Sequence, residues 1–289
     1  MSERERVWAV GLVSGGLASV LAMKLVRDQG IEVVACDVTT AFCDRDDGTQ
    51  RPAPELPLTA GGRVKLVRVD AGSRYVDLVR SPRHGYGRAL NPCQDCRVFA
   101  YRAARRVMEQ HGARFLVTGD VLDGLPTRHR LHQLRCIDEE TGLADLVLRP
   151  LSALLLPPTR PEREGWVDRE RLLDIGRSSR SRIADLAAAE GLRPVARGAC
   201  PLTETRFAQK LQDAIRHCQD SPAQLGLLSI GCHYRVSPGA KLVVGESARE
   251  KQLLLSHGGP GKTLLSATAQ ESPVGLLDSV GRPPLRSDV

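Results

Sequence analysis

The chain is short of aromatic residues and of long apolar runs, and each shortage removes a class of protein. Aromatics make up 3% of the 289 residues, so the core must be assembled from Leu, Val, Ile and Ala. The same shortage argues against an RNA-binding surface built mainly from stacked rings. No apolar stretch approaches the ~20 residues that a membrane helix needs. The run Ala153, Leu154, Leu155, Leu156, for example, stops at Pro157. The first residues, Met1-Ser2-Glu3-Arg4-Glu5-Arg6, mix both charges, and Gly11 breaks the apolar stretch that follows, which makes a poor signal peptide. The expectation is a cytoplasmic protein with no membrane partner.

What is present is a hydrophobic fraction of 42% and a charged fraction of 26%, ordinary for a folded domain or two. The formal net charge is +7, which favours phosphate-bearing partners. Only 6 of the 41 basic residues are Lys, a skew that coding bias also produces, so charge alone carries little weight. Eight cysteines follow no regular framework, which points to reduced thiols, metal or redox chemistry rather than to disulfides.

Residues 7–13 read as a buried strand followed at once by Ser-Gly-Gly and an apolar-periodic helix over 18–27. Strands are expected over 32–40, 65–69, 115–118 and 146–148, and a helix over 93–111. Strands alternating with helices indicate βαβ units, so the fold class is α/β with an open, mostly parallel sheet. Segments 178–190 and 203–218 read as helices. Residues 227–235 and 241–244 flank Ser237-Pro238-Gly239-Ala240, a hairpin turn in a small C-terminal α+β module. The expected division is 1–175, a nucleotide-binding domain; 176–220, a helical extension carrying a third cysteine; and 221–289, the hairpin module with a flexible tail.

The stretch Ser14-Gly15-Gly16-Leu17-Ala18-Ser19 lies between the first strand and the first helix. Ligands of open parallel sheets bind at the carboxyl ends of strands. Two glycines let the backbone approach an anion, and a helix start presents free N–H groups. Ser14 and Ser19 add hydroxyl donors, so the segment is a phosphate cradle on physical grounds. By contrast, Gly258-Gly259-Pro260-Gly261-Lys262-Thr263 lacks the first glycine of a Walker A loop, since Ser256 stands there, and follows a helix-like segment; it reads as a connection.

Cys93-x-x-Cys96 has metal-ligand spacing where a helix should begin. The helix start and Arg97 would favour thiolate. Cys200 is the natural third partner. Three thiolates could hold a [4Fe–4S] cluster with one iron open to sulfide. Two alternatives stay open: a persulfide on Cys200 resolved by Cys93 or Cys96, and an inert helix-capping pair. Cys36 and Cys43 lie in or just past the second strand, whereas Cys136, Cys218 and Cys232 read as small apolar fillers. His129 and His132, beside Arg128 and Arg130, read as part of a basic face and not as ligands. Two basic groups, Arg97/Arg102/Arg105/Arg106 and Arg177/Arg180/Arg182, could meet RNA phosphates, although charge runs usually mark a solvated face.

Ser-Gly-Gly-x-x-Ser in a first βα turn resembles the PP-loop of the ATP pyrophosphatases. The resemblance continues at Asn91-Pro92-Cys93-x-x-Cys96, Thr118-Gly119-Asp120-Val121-Leu122, Leu148-Arg149-Pro150-Leu151-Ser152, Gly198-Ala199-Cys200 and Ser237-Pro238-Gly239-Ala240-Lys241. Together these are similar to PP-loop proteins related to ThiI and MnmA, which thiolate tRNA. The resemblance implies an ATP-dependent sulfurtransferase that adenylates a uridine carbonyl of tRNA with Mg2+. It implies ATP along Ser14, Gly15, Gly16 and Ser19, with Gly119 and Asp120 closing the far side and Arg149 near the phosphates. Sulfur would come from the Cys93/Cys96/Cys200 site, fed by a cysteine desulfurase or free sulfide; a homodimer is left open. The chain departs from the family pattern at Ala18, usually Asp, at Asp120, usually Glu, and at Asp123-Gly124-Leu125-Pro126. Ala18 keeps two alternatives alive: a non-catalytic nucleotide- or cluster-binding protein, and thiolation of a small molecule.

Overall fold

The computed structural model describes residues 7–42, 55–58, 62–122, 127–176, 179–194, 200–266 and 272–279. Cys43, Asp123–Pro126, Arg177, Gly198, Ala199 and the tail beyond Gly281 lie outside these residues, as do the side chains of 127–130.

The chain begins with β1 (Trp8–Val13), α1 (Leu17–Arg27), β2 (Glu32–Thr39), the short β3 (Glu55–Pro57) and β4 (Arg63–Asp70). After α2 (Gly72–Arg80) come the long α3 (Cys93–His111), β5 (Phe115–Val117), α4 (Thr127–Glu140) and β6 (Val147–Leu148). A helical turn, α5 (Arg160–Arg163), and the helices α6 (Ser179–Ala189) and α7 (Thr205–Arg216) follow. The last elements are α8 (Pro222–Leu225), β7 (Cys232–Ser237), β8 (Ala240–Gly245), α9 (Ala248–Ser256), β9 (Lys262–Ser266) and β10 (Val274–Ser279). The two compact units are Met1–Ala71 with Cys93–Gly198, and Gly72–Pro92 with Ala199–Val289.

The first unit is built on a six-stranded sheet in the order β3-β4-β2-β1-β5-β6. All neighbours pair in parallel except the antiparallel edge strand β3. β2 is buried over six consecutive residues, Val33 to Val38, as expected for a strand covered on both faces. Gly11 in β1 pairs with Val117 of β5, and a Cβ there would stand 2.3 Å from the Met23 sulfur of α1. The missing side chain is what lets α1 pack flat on the sheet, with Val20, Leu21, Met23 and Val26 in the core. Chain order moves outward from β1 to β2 and β4, then returns to β5 on the other side of β1. The carboxyl ends of β1 and β5 therefore flank the topological switch point, where ligands of such sheets bind.

The second unit carries an antiparallel sheet in the order β7-β8-β10-β9. The β7–β8 hairpin turns at Pro238-Gly239 as the sequence predicts. α9 is opened by a capping box between Ser247 and Glu250, and Leu254 packs with Leu227, Ile230, Val243 and Leu276. The Gly258–Gly261 stretch joins α9 to β9 and is a connection, not a nucleotide loop.

Candidate nucleotide and sulfur site

Ser14 to Ser19 connect β1 to α1 at the switch point. Gly15 has φ +86°, a conformation that a side chain would strain. Gly16 precedes the helix without a side-chain cap, and the first turn of α1 holds no acidic residue. The amides of that turn and their positive dipole end are left for an anion. Ser19 is 1% exposed. Its hydroxyl donates to the Gly16 carbonyl at 2.9 Å and accepts from the Ser14 amide at 3.3 Å. Ser19 thus cinches the loop, and its hydroxyl is engaged with the loop's own backbone.

Thr118, Gly119 and Asp120 continue from β5. A Cβ on Gly119 would lie 2.5 Å from the Ser19 nitrogen and 2.6 Å from the Ala18 carbonyl carbon. The two loops are in backbone contact, which no residue but glycine permits. Asp120 accepts from the Tyr101 hydroxyl at 2.5 Å and from the Thr118 hydroxyl at 3.3 Å, and pairs with Arg97 at 3.3 Å. Burial, with Asp120 adding to it, pushes the Tyr101 hydroxyl well above the usual phenol range, so it stays a donor.

Arg149 follows β6. It is 6% exposed, and both terminal nitrogens donate to Asp138 of α4, at 2.9 and 2.6 Å. Burial opposes its charge, but Tyr101, Asp138 and Asp120 outweigh that and hold it protonated. Its charge is balanced inside the protein by Asp138, and its Nε is buried without a partner among the described residues. The basic face of α3 is also largely spent. Besides Arg97, Arg102 pairs with Glu140 at 3.3 Å and Arg105 with Glu109 at 3.1 Å. In the other group, Arg182 pairs with Asp174 at 2.6 Å.

Cys93 and Cys96 begin α3; Cys93 is exposed and Cys96 half-buried. Cys200 is exposed in the second unit and caps a 3₁₀ turn, Pro201–Thr203, whose Thr203 hydroxyl donates to the Cys200 carbonyl at 2.6 Å. Among the described residues no three Cys, His, Asp or Glu side chains are grouped as a metal ion requires. Cys93 and Cys96 belong to the first compact unit and Cys200 to the second. Cys36 is fully buried, and burial pushes its thiol up to about 12, an inert group. Cys218 and Cys232 are exposed, not core fillers: Cys218 follows α7 in a turn at φ +54°, and Cys232 points outward from edge strand β7.

Neither Tyr101 nor Asp138 was among the candidate site residues that the sequence offered. The signal for the first was the spacing Cys93, Arg97, Tyr101, which puts the three on one helical stripe.

Residues 5–154 match the family described as Thiamine biosynthesis protein (ThiI). The match spans just over half of the 289 residues and includes every residue of the two facing loops. The chain belongs to the ThiI family. ThiI-type PP-loop proteins use ATP and act in sulfur transfer to tRNA. Cys200 lies beyond the matched region. No curated protein matches the chain. No helix among the described residues is long and apolar enough to cross a membrane.

Proposed function

We propose that the protein is an ATP-dependent sulfurtransferase that thiolates a uridine of tRNA. The observation that carries this reading is the backbone contact of Gly119 with Ala18 and Ser19 at the switch point. It forms a cradle of amides with no side chain in the way, suited to the phosphates of ATP. The loop 14–19 takes the phosphates, and Asp120 and Gly119 bound the opposite wall. The uridine carbonyl oxygen attacks the α-phosphorus, pyrophosphate leaves, and the oxygen becomes part of an adenylate. Fixed amide dipoles stabilise the charge that develops on the phosphates.

The sulfur step runs through thiols. A persulfide on Cys200, formed when the Cys200 thiolate takes the outer sulfur of a cysteine desulfurase's persulfide and the desulfurase thiol leaves, attacks the activated carbon and AMP departs. Cys93 or Cys96 then attacks the Cys200 sulfur, releasing the thiolated base and leaving a protein disulfide. An external thiol reductant returns both cysteines to the reduced state. The exposure of Cys93 and Cys200 supports this reading.

One observation favours a second reading. Ala18 leaves the first turn of α1 without the carboxylate usual in PP-loops, which suits nucleotide binding without cleavage. ATP labelled at the α-phosphate separates the two. Formation of AMP and pyrophosphate that rises when bulk tRNA is added supports the sulfurtransferase. Retention of ATP without AMP, with or without tRNA, supports the binding protein.

A further inference from the structure

In the first unit, the guanidinium of Arg97 keeps a buried nitrogen for which the described residues supply no hydrogen-bond acceptor. It sits on the stripe of α3 between Cys93 and Tyr101, one turn from each. Among the described residues its ion pair is with Asp120, at 3.3 Å, long for a charge-assisted bond, which is typically about 2.7–2.9 Å. Tyr101 and Thr118 both donate to the other oxygen of the same carboxylate. Nη1 of Arg97 is buried and has no hydrogen-bond partner. A buried guanidinium nitrogen left without an acceptor is costly, and such groups persist where a bound molecule supplies the missing partner.

The place of this guanidinium matters as much as its vacancy. Asp120, which holds it, directly follows Gly119, and Gly119 rests on the backbone of Ala18 and Ser19. Arg97 is thus tethered beside the anion loop without belonging to it, on the helix that presents Cys93. An acceptor oxygen arriving from the loop side would complete the bonding of Nη1. The loop amides provide for the pyrophosphate part of a nucleotide. What remains for Arg97 is the phosphate ester joined to the nucleoside.

We infer that Arg97 is a specificity-determining cation that binds the α-phosphate of the nucleotide and keeps hold of it after pyrophosphate departs. Asp120, steadied by Tyr101 and Thr118, positions the guanidinium. The ligand class is a nucleoside 5′-monophosphate, free or esterified to the substrate oxygen. The inference rests on the adenylation reading above.

Calorimetric titration of the full-length protein with AMP and, separately, with inorganic pyrophosphate tests it. Arg97→Met is expected to weaken AMP at least tenfold while pyrophosphate binding stays within twofold. Arg97→Lys, which keeps the charge but loses the fork, should recover part of the loss. Arg97→Met and Arg97→Lys proteins that bind AMP as the wild type does overturn the assignment and leave the adenylation reading standing. An equal loss of AMP and pyrophosphate in both variants also overturns it, because that is the signature of general damage to the loop. Wild-type protein that binds pyrophosphate but no adenine nucleotide overturns the adenylation reading itself, and the role of Arg97 with it.

Discussion

Gly119 and Ser19 meet backbone to backbone: a single added carbon on Gly119 would stand 2.5 Å from the Ser19 nitrogen. Neither partner can yield easily, because Ser19 is tied to Gly16 and Ser14 by its own hydroxyl. Gly119→Ala should therefore force the two loops apart. The expected cost is about 1–3 kcal/mol, the range for an overpacked core site. Loss of ATP binding should be larger than that stability loss explains. Thermal denaturation and ATP titration of the variant check both parts; unchanged ATP affinity would refute the close approach as a functional feature.

Arg149 and Asp138 form a buried, two-pronged ion pair. Arg149→Met leaves the carboxylate buried without its partner and should cost about 3–5 kcal/mol, as for other broken buried pairs. The double change Arg149→Met with Asp138→Leu should recover much of that loss, since no uncompensated charge remains. Urea denaturation of the three variants is the check. If Arg149 served ATP directly, the single variant would instead lose ATP affinity with stability intact.

His233 in β7 should make the protein sensitive to mild acid. Its Nε2 lies 3.0 Å from both the Leu227 and Ile230 carbonyls, and its Nδ1 is buried without a partner. Burial, then Lys241 and Lys210, push its pKa down from 6.5 to about 4. The folded form binds the proton less readily than the unfolded one. The stabilising effect of neutral His233 is therefore complete above pH 6.5 and is lost as pH falls toward 4. The total is on the order of 3 kcal/mol. Asp213, which bonds Lys241 and Arg235, stays charged through this window because its pKa is held at about 2. His233→Gln should flatten the stability profile between these limits, measured by denaturant midpoints at a series of pH values.

The sheet was legible because its strands are buried on both faces, which leaves apolar runs such as Val33 to Cys36. The anion loop was legible for a different reason: Gly15 and Gly16 mark backbone geometry that other residues resist. β3 was not legible, since three residues with a proline carry no periodicity. Neither was α4, whose polar sequence Thr127–Glu140 hides the buried Asp138. The Arg149–Asp138 pair was hidden for the same reason, because Asp138 stands eleven residues earlier on a helix that the pattern did not reveal. Cys218 and Cys232 show the limit of reading small residues as fillers, because exposure depends on which edge of the second sheet they occupy.

The central claim is that ATP cleavage at the Gly119–Ser19 crossing drives sulfur onto tRNA through the cysteines. Mass spectrometry of nucleosides from tRNA incubated with protein, ATP, Mg2+, a thiol reductant and a cysteine desulfurase with cysteine tests it most directly. The account predicts a thiolated uridine formed one-for-one with AMP, abolished in Cys200→Ala and reduced at least tenfold when Cys93 and Cys96 are both replaced by alanine. Thiolated uridine made equally well by the Cys200→Ala protein, or no thiolated nucleoside from folded, ATP-binding wild-type protein, would contradict it.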